Sequence, residues 1–435
     1  MIPGRLRAAL RRRERVVPVV PASRRRRWER AAPDDWAAAL HLYYLRHRDE
    51  YQPAYFAKFR AYPYPRNRLA RAWRWYVSDV LVQAARLARI NGRAVRAAAG
   101  VPVRRQLWEM LRLAVSLPSM PENYYKFELY RPANRARADQ FLHRHETKGG
   151  LYLMLAGGAD LEAVAPVNDK PAFAARAQAA ALPVVPTLAR LAPGGQVEQF
   201  APLPAADLFV KLAAGKGGRG AQKWRYLADQ DRYHRLGDGA EVARDQFLSW
   251  LAAHTPDASL IVQPNLVNHP DLADLALDAV ATCRIITILD ESGVPEPVIA
   301  IFRMPATRGA IVDNLHRGGV AAPVDITTGM LGPASGYATE GVVTRHRHHP
   351  VSGAQIDGRK LPLWEQVRQL ACQAHTAFQP RVLVGWDIGI GPDGPVLIEG
   401  NEQPGVDGLQ RLHNQPLGSH RFGQLLAHHL RARFG

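Results

Sequence analysis

The chain has 435 residues of ordinary globular composition, 47% hydrophobic and 22% charged, enough for two or three domains. Its two cysteines, Cys283 and Cys372, exclude a disulfide framework and a cysteine-rich zinc site and suit a reducing, cytoplasmic compartment. The formal net charge of +18 is concentrated: residues 1–150 hold 32 Lys and Arg against 12 Asp and Glu, while residues 151–435 hold 25 against 27, so the high pI does not make the larger part a nucleic-acid binder.

No uninterrupted apolar run reaches the length of a membrane-spanning helix, and no apolar core follows the first arginines as a secretory signal would require. Residues 1–30 carry Arg11–Arg13 and Arg24–Arg27 around a Val/Pro segment and are expected to be a disordered arm. An anionic partner, either membrane lipid or RNA, fits such an arm. A merely arginine-rich end fits it as well.

Residues 31–140 read as helices. Pro33-Asp34-Asp35 starts one at Trp36–Leu45, and a long run over 68–90 holds Leu69, Ala72, Trp73, Tyr76, Val80, Leu81, Ala84, Leu87 and Ala88 at helical spacing until Asn91-Gly92. Another is expected over 103–116. The stretch 121–130 has three tyrosines and a phenylalanine, suited to a binding surface or, more commonly, to a core.

Residues 141–435 are expected to form one catalytic domain in which strands and helices alternate from 151 onward. The expected strands are Leu151–Leu155, Leu208–Leu212, Ala221–Leu227, Leu260–Gln263, Cys283–Leu289 and Pro297–Arg303. The expected helices are one capped by Asn168-Asp169-Lys170-Pro171 and reaching Ala181, then Ala240–Ala253, Leu363–Phe378 and Leu417–Leu430.

Chemistry concentrates near the C-terminus. Residues 382–390 and 395–400 are apolar and β-branched, separated by Pro392-Asp393-Gly394, which suits a three-residue hairpin loop. Pairing Gly391 with Pro395 sets Asp387 opposite Glu399, with Asn401 on the same face and Gly385 and Gly389 leaving room above it. Trp386, Ile388, Ile390, Val396 and Ile398 then face a core. Opposed carboxylates repel, and a hard cation such as Mg²⁺ held by oxygen ligands removes the repulsion. A solvated sheet edge is the plainer alternative.

Upstream, Lys211 ends a strand and precedes Gly215, Gly217, Gly218 and Gly220, a flap whose backbone N–H groups can approach phosphates. The loop matches G-x-G-x-x-G only formally, because a strand follows it rather than a helix. Gln263 and Asn265, flanking Pro264 at a strand end, offer backbone groups to an adenine edge. Arg284 and Arg303 lie in strands, where a charge needs an anion. Asp313-Asn314-Leu315-His316-Arg317-Gly318-Gly319 is a polar glycine loop able to close on a reacting phosphate. The histidines of 345–350 read as a solvated loop rather than a metal cluster.

Lys170, the strand lysine with its flap, the Val-Gln hinge, the strand arginine, the Asn-Leu-His-Arg-Gly-Gly loop and the closing Gly-Trp-Asp…Ile-Glu-Gly-Asn-x-x-Pro-Gly together resemble an ATP-grasp ligase. The wording is similar to the sugar-transfer-associated ATP-grasp family and to the α-L-glutamate ligases, over about residues 140–430. The resemblance implies an α+β fold of two subdomains gripping ATP, here preceded by a helical, basic N-terminal region. It implies that Lys170 and Lys211 hold phosphates and Gln263 and its neighbours hold adenine. It further implies that Asp387, Glu399 and Asn401 hold Mg²⁺, and that Arg303, Asn314 and Arg317 face the reacting phosphate. The reaction implied is ligation of a small-molecule carboxylate to an amine through an acylphosphate, in polysaccharide or cell-surface modification. A kinase using the same grip, or a docking protein using the basic first third, are the alternatives. Leu212, Pro264, Thr282 and Val312 depart from the glutamate-ligase pattern, which argues against glutamate as the substrate.

Overall fold

The computed structural model describes residues 17–57, 67–117, 119–213, 218, 220–313, 315, 318–336 and 342–435. Two antiparallel sheets face each other. The first is built from β1 (Ala189–Ala192), β2 (Gln196–Gln199), β3 (Leu208–Leu212), β4 (Gln222–Leu227), β5 (Arg232–Arg235), β6 (Glu241–Ala243) and β7 (Leu260–Pro264), in the order β2-β1-β7-β3-β4-β5-β6. The second contains β8 (Thr282–Leu289), β9 (Pro295–Met304), β10 (Val320–Val324), β11 (Ser335–Gly336), β12 (Leu383–Gly391) and β13 (Gly394–Asn401), in the order β11-β10-β9-β8-β12-β13. The chain crosses between them at 183–188: Val185 N–H donates to Leu397 O (3.0 Å), and Leu188 N–H to Val262 O (2.8 Å).

Alternation along the strands sends side chains of the second sheet to both faces. On one face Cys283, Ile285, Phe302, Trp386, Ile388 and Ile390 pack under the helices Lys170–Ala179 and Trp364–Ala377. On the other, Ile286, Ile288, Ile299 and Ile301 pack with Leu40 and Tyr44 of the Trp36–Ala57 helix and with the Val406–His413 and Arg421–Phe434 helices. That core joins residues from both sides of the expected 140/141 boundary. The second face stays covered only part-way; near Thr282, Arg284, Arg303 and Asp387 it opens into a cleft against β3, β4 and β7.

Several elements differ from expectation for identifiable reasons. Leu151–Leu155 is helical, not a strand: Thr147–Leu151 is a π-turn running into the helix Tyr152–Ala156. A short apolar run does not distinguish a strand from a buried helix. Gly150 is there for packing, since a Cβ on it would lie 2.7 Å from the Tyr44 ring. The helix expected to stop at Asn91-Gly92 continues to Ala99 and ends at Gly100 in the left-handed conformation (φ 70°). Gly92 instead lets Val103 of the next helix approach, within 2.9 Å of where a Cβ would sit. Ala240–Ala253 splits into β6, a 3₁₀ turn and the helix Phe247–His254. Within the expected arm, Ala22–Glu29 is a helix whose Trp28 is buried and stacked on His41 at 4.6 Å. The aromatic stretch 121–130 is core: Tyr124, Tyr125, Phe127 and Tyr130 are all buried. His349 is likewise buried, its Nε2–H donating to Pro305 O at 2.8 Å, unlike the solvated loop expected there.

The closing hairpin reaches its expected pairing by another route. Its loop has two residues, because Gly391 pairs with Gly394 (φ 137°) and Ile390 with Pro395. That register alone would set Asp387 against Ile398. A bulge between Asp387 and Ile388 absorbs one residue and restores Asp387 opposite Glu399. The bulge also exchanges faces along β13, so Leu397 enters the core while Ile398 turns to the cleft. Val396 and Ile398 therefore do not share the core face of Trp386.

Candidate active site

One cavity of about 670 Å³ lies between the sheets. Lys170, Lys211, Gly218, Gln263, Asn265, Arg284, Arg303, Asp387, Glu399 and Asn401 all line it. Gly220 does not; its position (φ 69°) closes the flap strand against Leu212. Gly215, Gly217, Asn314 and Arg317 lie outside the described residues.

The floor is an ion network. Asp387 on β12 is paired across the sheet with Arg284 on β8. Arg284 Nε and Nη2 donate to its two oxygens, the latter at 2.6 Å, and Arg303 Nη2 lies 2.8 Å from Oδ2. Burial alone would push this carboxyl up, but the two guanidinium groups outweigh it and hold Asp387 well below the usual carboxylate range. Thr282 fixes Arg303: its hydroxyl accepts from Nε (2.9 Å) and Nη2 (2.6 Å) and donates to Asp313. Asp313 stands 3.5 Å from Arg303 Nε, and burial pushes its carboxyl up.

Glu399 has the opposite character. Burial and the facing Asp387 raise it, against the pull of Lys211 and Lys170. Lys170 Nζ stands 3.9 Å away. It is placed by its position as first residue of the Lys170–Ala179 helix, whose cap, Asp169, accepts from Ala172 N–H at 3.0 Å. Lys211, at the end of β3, is desolvated by burial and its ammonium is brought down to about 8. At the hinge, Gln263 Nε2 donates to Val185 O (3.2 Å), tying β7 to the crossing segment. Asn265 N–H is already spent on Asp207 O (2.9 Å), so it is not the free adenine donor that the sequence suggested.

The flap meets the opposite side of the cleft. Gly218 has φ 64°, and a Cβ there would stand 3.0 Å from Val312. Lys223 Nζ donates to Asp278 O (3.0 Å), a second bridge. Among the described residues no group of three or more His, Cys, Asp or Glu is arranged for a metal. The donors present are two carboxylates and an amide, an all-oxygen set suited to Mg²⁺. Glu399 fits a cation best, because both oxygens of Asp387 already receive guanidinium donors and Asn401 Oδ1 accepts from Gln403 N–H at 3.1 Å with one lone pair left.

A sequence profile described as sugar-transfer associated ATP-grasp matches residues 160–421. The chain belongs to this family. The two facing sheets with their cleft are accordingly the ATP-grasp fold, an α+β architecture preceded here by helices. Among proteins with curated functions, none matches the chain. Solved structures similar to it include biotin carboxylase from Campylobacter jejuni in a β-γ-ATP complex (13% identity, TM-score 0.35, covering 61% of this chain and 46% of that one). D-alanyl-alanine synthetase A from Vibrio cholerae O1 is another (13%, 0.35, 62% and 66%). L-amino acid ligase from Bacillus licheniformis is a third (12%, 0.34, 61% and 48%). This chain spans less than two thirds of the length of each.

The ATP-grasp cleft also contains residues that the motifs did not reveal. Arg144, Lys148 and Asp407 line the cleft together with the β12–β13 hairpin. Asp407 is held by Lys126 Nζ at 3.1 Å and Arg144 Nη1 at 3.6 Å, and these cations keep its carboxyl far below the usual range despite burial. Arg144 and Lys148 precede the profile match and sit one helical turn apart, in a segment misread as leading into a strand. Their i, i+4 spacing was the available signal.

Proposed function

We propose that this protein is an ATP- and Mg²⁺-dependent carboxylate–amine ligase. The observation that carries the reading is the convergence, in one cleft, of two lysines, two arginines and the Asp387/Glu399/Asn401 oxygen set. Lys170 and Lys211 neutralise the phosphates of ATP under the flap, and the hinge beside Gln263 receives the base. Glu399 and Asn401, with Asp387 beside them, would hold Mg²⁺, which would withdraw charge from the phosphates. Arg303, fixed by Thr282, stabilises charge on the phosphoryl group as it moves. The γ-phosphoryl passes to a carboxylate oxygen, giving an acylphosphate and ADP. An amine nitrogen then attacks the carbonyl carbon, the bond to the phosphate oxygen breaks, and phosphate and a proton leave. The contact of Gly218 with Val312 closes the cleft against water during the lifetime of the acylphosphate. Arg144 and Lys148 give their part of the cleft a positive character suited to an acid substrate. The family name supports a setting in polysaccharide or cell-surface modification.

ADP release from Mg-ATP with pooled amino acids and sugar acids, with and without hydroxylamine, tests this. A ligase gives ADP plus a hydroxamate for one pool, and Asp387→Asn with Glu399→Gln abolishes both. ADP formed on an alcohol without hydroxamate would instead identify a kinase.

A further inference from the structure

The helical region turns an apolar face outward. From Arg68 to Ala99 the chain is one continuous helical run, α over Arg68–Trp73, π over Arg74–Leu81 and α again over Val82–Ala99. Its inner side is satisfied: Trp75, Val80, Ala84, Leu87, Ala88 and Val95 are buried. Its outer side is not polar, as a solvated helix face would be. Leu69 is 80% exposed, Trp73 66%, Leu81 50% and Val82 53%, with Val77 between them. Leu69, Trp73, Val77 and Leu81 are spaced by four. The widened π-turn keeps residues four apart in line, so the row does not wind away around the helix. The next helix, Val103–Ser116, exposes Trp108 and Val115 as well.

The charge on the same run has one sign. Arg68–Ala99 contains seven arginines and a single acid, Asp79, which is buried. Arg86, Arg89, Arg93 and Arg96 are exposed beyond the apolar row. An apolar row followed by exposed arginines is the pattern of a helix that lies in the plane of an anionic bilayer, with its row in the acyl boundary and its arginines at the headgroups. No helix among the described residues is long and apolar enough to cross a membrane, which fits a surface contact. RNA would use the arginines and can stack a base on Trp73, but it has no use for exposed Leu69, Val77, Leu81 and Val82.

We propose that the outer face of Arg68–Ala99 docks the protein on an anionic lipid surface, independently of the catalytic cleft. Flotation of the full chain with vesicles of phosphatidylglycerol and phosphatidylcholine, against phosphatidylcholine alone, tests it. The expected result is binding to the mixed vesicles that weakens as salt rises. Leu69→Ser/Trp73→Ser/Leu81→Ser lowers partitioning at least about tenfold while leaving the melting curve and Mg-ATP binding unchanged. Trp73→Ser alone lowers it in the same direction, should the triple variant melt early. Arg86→Gln/Arg89→Gln/Arg93→Gln weakens binding and flattens its salt dependence. Equal flotation of wild type and the Ser variants, or no preference for anionic over neutral vesicles, overturns the proposal. Competition by poly(U) that persists in the Ser variants overturns it in favour of RNA.

Discussion

With Lys211 against the phosphates of ATP, as proposed, binding depends on pH in a defined direction. Burial brings its ammonium down to about 8, from an ordinary value of 10.5. Phosphates placed beside it favour the charged form, so binding raises this value. A group whose bound value exceeds its free value contributes fully below the free value, and that contribution is lost as pH rises through the bound one. ATP affinity is therefore flat below about pH 7.5. Above pH 8 it falls by up to about tenfold per pH unit, because each unit leaves tenfold less of the empty protein ready-charged. At pH 8 roughly half a proton is taken up per ATP bound, and at pH 9 close to one. Calorimetric titration of Mg-ATP in buffers of differing ionisation enthalpy measures both quantities. Lys211→Met weakens binding at pH 7 and abolishes the uptake. A wild-type affinity that stays flat from pH 7.5 to 9.5 without proton uptake would refute the placement of Lys211 against the phosphates.

Thr282→Val removes the hydroxyl that joins Arg303 to Asp313 and leaves a buried carboxylate short of a partner. It should cost about 1–3 kcal/mol in denaturant unfolding and slow ADP release more than it weakens ATP binding. Gly218→Val meets Val312 and an unfavourable φ of 64° together. ADP release should fall about tenfold or more with little change in melting temperature, since only flap closure is affected. Lys148→Met should raise the KM for the acid identified in the pool assay and leave the Kd for ATP within about twofold. Acid lability should originate around Glu146. Burial holds His143 and His145 neutral at about 4 and about 3, and the charge and hydrogen bond of His41 are the main cause that keeps Glu146 at about 2 despite its burial. The two histidines take up protons on unfolding, so stability falls from pH 6.5 downward, and Glu146 adds its own loss from 4.5 toward 2. His41, raised by Glu146 against its own burial, works the other way, its share fading as pH rises through its folded value. Melting temperatures between pH 4 and 8 check the balance, and Glu146→Gln should cost about 3 kcal/mol at pH 7.

The motif-bearing half of the fold was legible because its signals are local. Strand alternation, the helix cap at Asp169 and the Asp387/Glu399 pairing each need only a few neighbouring residues to specify them. The hairpin shows the limit of such reading. Its loop was one residue shorter than expected and a bulge compensated, so the carboxylates still met while Val396 and Ile398 lost their expected face. Where packing across the molecule decides, local signals failed. Gly92 looked like a helix stop but serves Val103, and Gly149-Gly150 sit in a helix that must pass Tyr44. Arg284 and Arg303 were each expected to meet an anion, with no protein partner named. What no pattern in the sequence disclosed is that Arg284 and Arg303 first meet Asp387.

That last arrangement explains how the ATP-grasp cleft can keep two acids facing each other. Asp387 and Glu399 are opposite neighbours in the sheet, and without compensation each would raise the other. The protein resolves this asymmetrically. Two guanidinium groups hold Asp387 ionised, while Glu399 is left raised, within 3.9 Å of a lysine. Of the two acids Asp387 is thus already charged, and Glu399 is the one whose charge a cation would favour most. Arg284 and Arg303 therefore neutralise Asp387 while lining the cleft in which the phosphates of ATP are proposed to lie. Thr282 and Asp313 hold Arg303 in that position.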